Sequence, residues 1–456
     1  MSRPTARRPA GAAEPHDAPA PAAARRPRVL LVAELANPDW VSVPLVGWSH
    51  FHALAQRTDA HLVTQVRNRE NILRAGLPPE RFTALDTEGI ERAVGRVVRL
   101  LRPGGEGGLT TLTAFSAAAY YQFERLLWRQ FGGRIEAGEF DVVHRLTPLS
   151  PTTPSLIAAR CARAGVPFVL GPLNGGLPWP KGFDHARLGE HEWLSYVRDA
   201  YKLLPGYRGT RRHAAAIICG SMATRAQIAR RYAHKTVYIP ENAIVPARFD
   251  RPRPDEPATL PLRVAFVGRF TAYKGCDMLI EAAAPLVRDG LVALDLIGDG
   301  PQAPALRALA ARERLPEEIF AGWVPHARLK ERLVRSHVFA FPSIREFGGA
   351  VVLEAMALGL VPVVMAYGGP GELVSPATGF ALPMGRRDEI VERLRAVLAE
   401  LARRPGVLAP MGRRARERVL RLFTWEAKAA QTLEVYRWVL GARDKPDFGM
   451  PLPDPD

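Results

Sequence analysis

Three cysteines in 456 residues, Cys161, Cys219 and Cys276, are too few for a disulfide framework and show no metal-ligand spacing. They read as small core residues of a chain kept in a reducing compartment, the cytoplasm. No stretch approaches about 18 consecutive apolar residues, so no membrane-spanning helix is expected. Residues 1–27, rich in Ala, Pro and Arg, lack the apolar central run of a secretory signal and read as a disordered leader. No G-x-G-x-x-G follows the first apolar run, which removes the usual nicotinamide or flavin fingerprint. Nor does an acidic pair stand at a strand exit to chelate a divalent ion. Asp299-Gly300 offers one carboxylate, so no metal site and no metal requirement are expected.

Acidic residues are outnumbered, 46 Asp and Glu against 62 Lys and Arg, for a formal net charge of +16. No cluster of arginines is interleaved with aromatics as a strand-binding surface would be, so nucleic acid is not an expected partner. Runs such as Arg386-Arg387 and Arg413-Arg414-Ala415-Arg416 fall at helical spacing, the pattern of a solvated face. The charge also suits peripheral attachment to the inner face of an anionic membrane.

What is present is a repeated α/β pattern, too long for one core, that divides into two domains. The run RVLLVAE (28–34) is apolar throughout, as in a parallel strand covered on both faces. The loop and helix after it put Asp39, Trp40, Ser42 and Gly47 at the carboxyl end of that strand, where α/β sheets bind ligands. Strands follow at 61–66 and 81–86, and helices at 88–102 and 112–130. DVVHRL (141–146) is a buried strand ending in His144 and Arg145, which places His144 at the crevice edge. After PFVLG comes PLNGGLPWPKGF, a fixed irregular loop. In it Gly175 and Gly176 allow close backbone approach, and Asn174 and Trp179 neighbour an acceptor or a sugar. Helices at 189–204 and 207–214 lead to the strand AAIICGS, whose Ser221 caps the next helix. Glu241 and Asn242 stand at a later strand exit and, like Asp39 and Trp40, are candidates for the acceptor or sugar side, and the proline-rich stretch 251–261 reads as a linker.

The second half restarts at LRVAFVGRFTAYKG, where a strand delivers Gly268 and Arg269 and a loop carries Lys274. Two cations five residues apart at a strand-to-helix crossing suit a pyrophosphate. Gly298 and Gly300 follow the next strand, and the loop from Gly322 to Val324 borders a base. The centre of the pattern is FPSIREFGGAVVLEAMALGLVPVVMAYGGPGE (341–372). Glu346 lies in the loop after the strand VFAF, and Glu354 falls on the helix that follows. Between them Gly348 and Gly349 open that helix without a Ser or Asp cap, leaving backbone donors for a diphosphate or a polar sugar.

The segments GRFTAYKG, EFGGAVVLEAMALGLVPV and GGPGE, taken together, resemble the retaining glycosyltransferases of family 4, most strongly over 262–383. The resemblance implies an α/β GT-B fold, two Rossmann-like domains facing across a cleft. The expected boundaries are 28–250 and 262–422, with a helix at 423–440 crossing back to the first domain and a loose tail at 441–456. It also implies roles. Arg269 and Lys274 hold the donor diphosphate, and Glu354 binds the ribose. Glu346 lies near the sugar hydroxyls, and Phe347, Gly348, Gly349 and Ala350 offer backbone to sugar and phosphate. His144 touches the transferred sugar, and Gly47 belongs to the first-domain phosphate-side loop, although VPLVGW departs from the common double glycine. The implied co-substrate is a UDP- or GDP-linked sugar with no tightly bound cofactor. The acceptor is a glycan, a lipid-linked glycan or a small molecule. Alternatives within reach of the same pattern are transfer to a specialised metabolite, sugar-nucleotide epimerisation, and non-catalytic nucleotide-sugar binding.

Overall fold

A computed structural model describes residues 25–87, 109–180, 182–183 and 200–455. The expected helix at 88–102, most of the leader and residues 189–199 of another expected helix lie outside the described residues.

Two parallel sheets carry the molecule. The first has seven strands: β1 (Arg28–Ala33), β2 (Asp59–Gln65), β3 (Phe82–Leu85), β4 (Val142–Thr147), β5 (Phe168–Leu173), β6 (Ala216–Cys219) and β7 (Thr236–Tyr238). Their spatial order is β3-β2-β1-β4-β5-β6-β7. The second has six: β8 (Leu262–Val267), β9 (Val292–Ile297), β10 (Phe320–Gly322), β11 (Val338–Phe341), β12 (Val361–Met365) and β13 (Phe380–Leu382), ordered β10-β9-β8-β11-β12-β13. In each sheet the order reverses beside the first strand, between β1 and β4 and between β8 and β11. Loops leaving the carboxyl ends at such a reversal diverge to opposite faces and open a crevice.

The period-two alternation of strand side chains explains how one run feeds two cores. Along β1, Val29, Leu31 and Ala33 join one cluster with Phe51 and Leu54 of the Val43–Ala55 helix. Leu30 and Val32 join another on the opposite face, with Tyr120, Phe123, Leu127 and Phe131 of the Leu109–Glu136 helix. The helix Trp425–Val439 follows the second sheet in sequence, yet Trp425, Ala429, Val435 and Tyr436 pack into the first of those clusters. Burial of its two large aromatics contributes roughly 1.5–3 kcal/mol each. Thr424 caps this crossing helix through Ala427 N–H at 3.1 Å, and Ile244 N–H donates to Phe423 O at 2.8 Å, so the segment after β7 and the helix start are stitched together. All three cysteines are buried and unpaired. Among the described residues no helix is long and apolar enough to cross a membrane.

The tail corrects one expectation. Its proline-rich composition reads as loose, but Leu452 is buried in the second-domain core. Arg418, 1% exposed, donates to Leu452 O (2.7 Å), Pro453 O (2.9 Å) and the Asp454 carboxylate (2.7 Å). Before that, Lys445 Nζ reaches Ala233 O of the first domain at 3.3 Å. The tail is a strap over the seam between domains.

Candidate functional site

At the second-sheet reversal, the exits of β8 and β11 lie side by side. A β-carbon at Gly275 would overlap the Pro342 carbonyl, and one at Gly298 would overlap the Gly268 carbonyl, so only glycine lets these three loops meet. Gly275 also sits at φ 73°, the left-handed region that favours glycine. The turn Ala272–Lys274 brings Lys274 Nζ onto the Glu346 carboxylate, with the two side chains 16% and 21% exposed. Arg269 is exposed and has no ion pair among the described residues. The helix Ala350–Ala357 starts at Gly349 (φ 72°) with no side-chain cap. Its first N–H groups are left without a side-chain cap, close in sequence to Glu346 and so to its partner Lys274, an arrangement that can hold a multiply charged anion.

Glu354, on that helix, is bonded to His326 Nε2 at 2.9 Å. This bond, ahead of all else, raises the His326 pKa above its ordinary value. Both residues wall a cavity of about 350 Å³ whose floor is Phe249, Leu329 and Leu333 and whose rim carries Arg248 and Lys330. The cavity shares Glu354 with the crevice but not Arg269 or Lys274. Gly322 takes φ 70° at the end of β10, while Val324 packs against the core.

The first domain closes on this site. Asn174 is buried; its Nδ2 donates to Phe347 O at 3.0 Å, and its Oδ1 accepts from Ser221 Oγ at 2.9 Å. Gly175 N–H donates to Thr224 Oγ1 (3.2 Å) and Gly176 O accepts from Gln227 (3.1 Å), which fixes the loop to its own domain. Beyond it, Arg345 donates to Leu177 O at 3.3 Å and its guanidinium stacks 4.8 Å from the Trp179 ring. Tyr367 OH reaches Pro178 O at 2.7 Å. Glu241 and Asn242, bonded to each other at 3.3 Å, lie directly over Gly348, where an added β-carbon would collide with both. Burial pushes the Glu241 carboxyl up to about 7, the nearby Glu346 charge adding to it against hydrogen bonds from Asn174 and Asn242.

Two expected site residues lie elsewhere. His144 is fully buried, not at the crevice edge: β4 is covered on both faces. Nε2 meets Gly171 O and Nδ1 meets the Tyr436 hydroxyl, both at 2.6 Å. A carbonyl only accepts, so Nε2 carries the proton and Nδ1 accepts from the tyrosine. Gly47 lies inside the Val43–Ala55 helix, where a β-carbon would overlap the Leu35 carbonyl; its small size serves packing. Asp39 is engaged on its own domain by Asn71 (2.7 Å) and Arg74 (3.4 Å), and Trp40 is 40% exposed.

Three residues near the site escaped the sequence reading. His326 carries no signal in the sequence pattern, since its partner Glu354 is 28 residues away. Glu372 is buried between domains. Lys428 is 1% exposed, and its place on the stripe Trp425, Lys428, Thr432, Val435 was the available sign that it points inward. Among the described residues no group of His, Cys, Asp and Glu is suited to a metal ion.

Residues 250–417 match the model of the family described as glycosyl transferases group 1. The α-maltose-1-phosphate synthase of Mycolicibacterium smegmatis is 32% identical over 251 residues, covering 50% of this chain and 64% of its own length. The gpi3 subunit of the phosphatidylinositol N-acetylglucosaminyltransferase of Schizosaccharomyces pombe is 28% identical over 206 residues, 44% of this chain and 43% of that one. The chain thus matches less than two thirds of these curated relatives. Among solved structures, Anabaena HepE in complex with UDP superposes with a TM-score of 0.57 at 16% identity, over 90% of this chain and 98% of that one. The second domain is thus similar to the glycosyl transferases group 1, and the chain has the GT-B fold.

Proposed function

We propose that this protein transfers a glycosyl group from a nucleoside-diphosphate sugar to an acceptor hydroxyl, with retention at the anomeric carbon. What supports the reading is the Lys274–Glu346 pair beside the uncapped Gly348-Gly349 helix start, covered by Asn174, Glu241 and Asn242 from the first domain, with Arg269 exposed on the neighbouring strand exit. In the reaction the bond from the anomeric carbon to the β-phosphate oxygen breaks and its electron pair stays on the phosphate. The acceptor oxygen bonds to the same face of that carbon, and its proton passes to the departing phosphate. Arg269, Lys274 and the helix amides stabilise the phosphate charge more as it grows than in the ground state. These cations fill the role a divalent ion plays elsewhere, so turnover is expected without added metal.

Glu354 would take the ribose hydroxyls once it leaves His326, and Glu346 would take sugar hydroxyls beside Lys274. A relative of the same fold is described in complex with UDP, which makes UDP-sugars the first donors to test and GDP-sugars the second. Acceptors to test are lipid-linked and polysaccharide glycans, then small hydroxylated metabolites, with association to anionic vesicles measured alongside. Thermal stabilisation by UDP, GDP and ADP and their sugars, followed by transfer assays with EDTA present, tests the reading. Arg269→Ala and Lys274→Ala should each weaken diphosphate binding about tenfold or more. Unchanged binding in both would reject it.

A further inference from the structure

Glu346 and Glu354, the two glutamates of the second-domain site, each hold a basic side chain from a neighbouring element. Glu346 holds Lys274, and Glu354 accepts from His326 Nε2 at 2.9 Å. The two partners differ in one respect. Among ordinary side chains only imidazole gains or loses its charge near neutrality. A proton can therefore tighten or loosen the second contact and not the first.

His326 opens the helix His326–Leu333, which has no side-chain cap. A cation at a helix start lies against the helix dipole, which disfavours it. What favours it here is Glu354: the bond to that carboxylate raises the His326 pKa above 6.5, and the carboxylate charge adds to the effect. Burial and Arg248, from the turn Pro246–Phe249, oppose it. The charged side chains that share a cavity of about 350 Å³ with His326 are Glu354, Arg248 and Lys330. Lys330, one turn along the same helix, is paired with Asp250 at 3.5 Å. The His326 side chain is 51% exposed against 18% for Glu354, so the imidazole can turn away into this space without unpacking its helix.

We propose that His326 is a positioning residue that restrains Glu354, competing with ribose hydroxyls for its carboxylate, and that protonation of the imidazole strengthens the restraint. This rests on the glycosyl-transfer reading and on the ribose role it gives to Glu354. A hydroxyl that displaces a neutral imidazole exchanges one neutral donor for another. One that displaces an imidazolium gives up a charge-assisted bond, roughly twice as strong. The contribution of the ribose to donor affinity should therefore be larger above neutrality than below it.

The test is calorimetric titration of the full chain with UDP and with 2′,3′-dideoxy-UDP, at pH 8.5 and at pH 6, below the ordinary histidine value of about 6.5. GDP and its dideoxy form make a second pair. The members of a pair carry the same diphosphate, so the ratio of their dissociation constants isolates the ribose hydroxyls from titration of the phosphate. That ratio should be about tenfold at pH 8.5 and about threefold smaller at pH 6. In His326→Ala it should hold at or above the parent's pH 8.5 value at both pH values. In His326→Lys, a cation throughout this range, it should stay near the parent's pH 6 value at both. The dideoxy nucleotide should bind parent and variants within about twofold of one another at each pH. A parent ratio that does not fall at pH 6 overturns the inference, as does a fall that persists in His326→Ala. A ratio that collapses at pH 8.5 in His326→Ala also overturns it, because His326 would then support the ribose contact. Weaker binding of the dideoxy nucleotide in both variants would make the residue structural and overturn it too. A parent that binds none of these nucleotides overturns the glycosyl-transfer reading itself.

Discussion

Both carboxylate oxygens of Glu372, in the second domain, accept from the backbone N–H of Met222, in the first, at 3.0 Å. The Tyr238 hydroxyl donates to the same carboxylate at 3.0 Å, making Glu372 a latch between the domains. Burial pushes Glu372 up from 4.5 to about 6. An acid with a raised folded value binds its proton more tightly when folded. The stability it contributes is present below about pH 4.5 and is lost as pH rises through about 6, some 2 kcal/mol in all. Glu372→Gln cannot titrate. Relative to the parent it should therefore gain about 2 kcal/mol between pH 4.5 and pH 7.5 in denaturant unfolding. A difference that stays flat with pH would show that Glu372 is not the titrating group.

The glycine-rich turn holding Glu372 was legible as a turn, but its interdomain partners were not, since Met222 and Tyr238 are distant in sequence. The same limit explains His144. A polar residue ending an apolar run signals a crevice only when the strand end is open, and here Tyr436 arrives from far along the chain to cover it. By contrast Lys274, Glu346 and the Gly348-Gly349 start lie on loops of adjacent strands, so local pattern was enough to bring them together. The tail was misread for a related reason. Its composition lacks a core of its own, but Leu452 borrows one, and Arg418 was hidden among arginines that do face solvent. Gly47 shows that a glycine beside a ligand loop can answer to packing first.

The domains are in close contact at Gly348. The nearest atoms that a methyl group there would meet belong to Asn242 and Glu241 of the first domain. Gly348→Ala should therefore hold the domains apart without disturbing either core. Diphosphate affinity, set by the second domain, should change by less than about threefold, while turnover falls about a hundredfold or more because the roof no longer seats. Transfer assays beside titrations separate the two. Equal losses in both would show that the alanine damages the helix start itself.

Acid should loosen the crossing helix before either sheet. His50 and His144 lie under it, bonded to Thr432 at 3.2 Å and Tyr436 at 2.6 Å, and burial holds both near 3. A base with a depressed folded value takes up its proton on unfolding. Its stability is full above about pH 6.5 and is lost as pH falls toward 3, on the order of 2 kcal/mol for each histidine by pH 5. Hydrogen exchange over 425–439 should quicken between pH 7.5 and pH 5, after correction for the intrinsic rate. His50→Gln should show the smaller change. Protection that is independent of pH would place the acid-sensitive contacts elsewhere.

Arg418 ties the strap to the second domain, and removing the strap strands it. Of its four bonds, three go to Leu452, Pro453 and Asp454 and one to Leu373 O. A chain ending at Gly441 would leave a nearly buried guanidinium with one partner and expose the pocket that Leu452 fills. Leaving a buried charge unpaired costs about 3–5 kcal/mol, so the thermal midpoint should fall by several degrees. The charge, more than the lost apolar contact, carries this cost. Arg418→Met in the shortened chain should therefore recover part of the loss, whereas the same substitution in the full chain should destabilise by stranding the Leu452 and Pro453 carbonyls. If the methionine gives no recovery in the shortened chain, the strap holds through Leu452 alone.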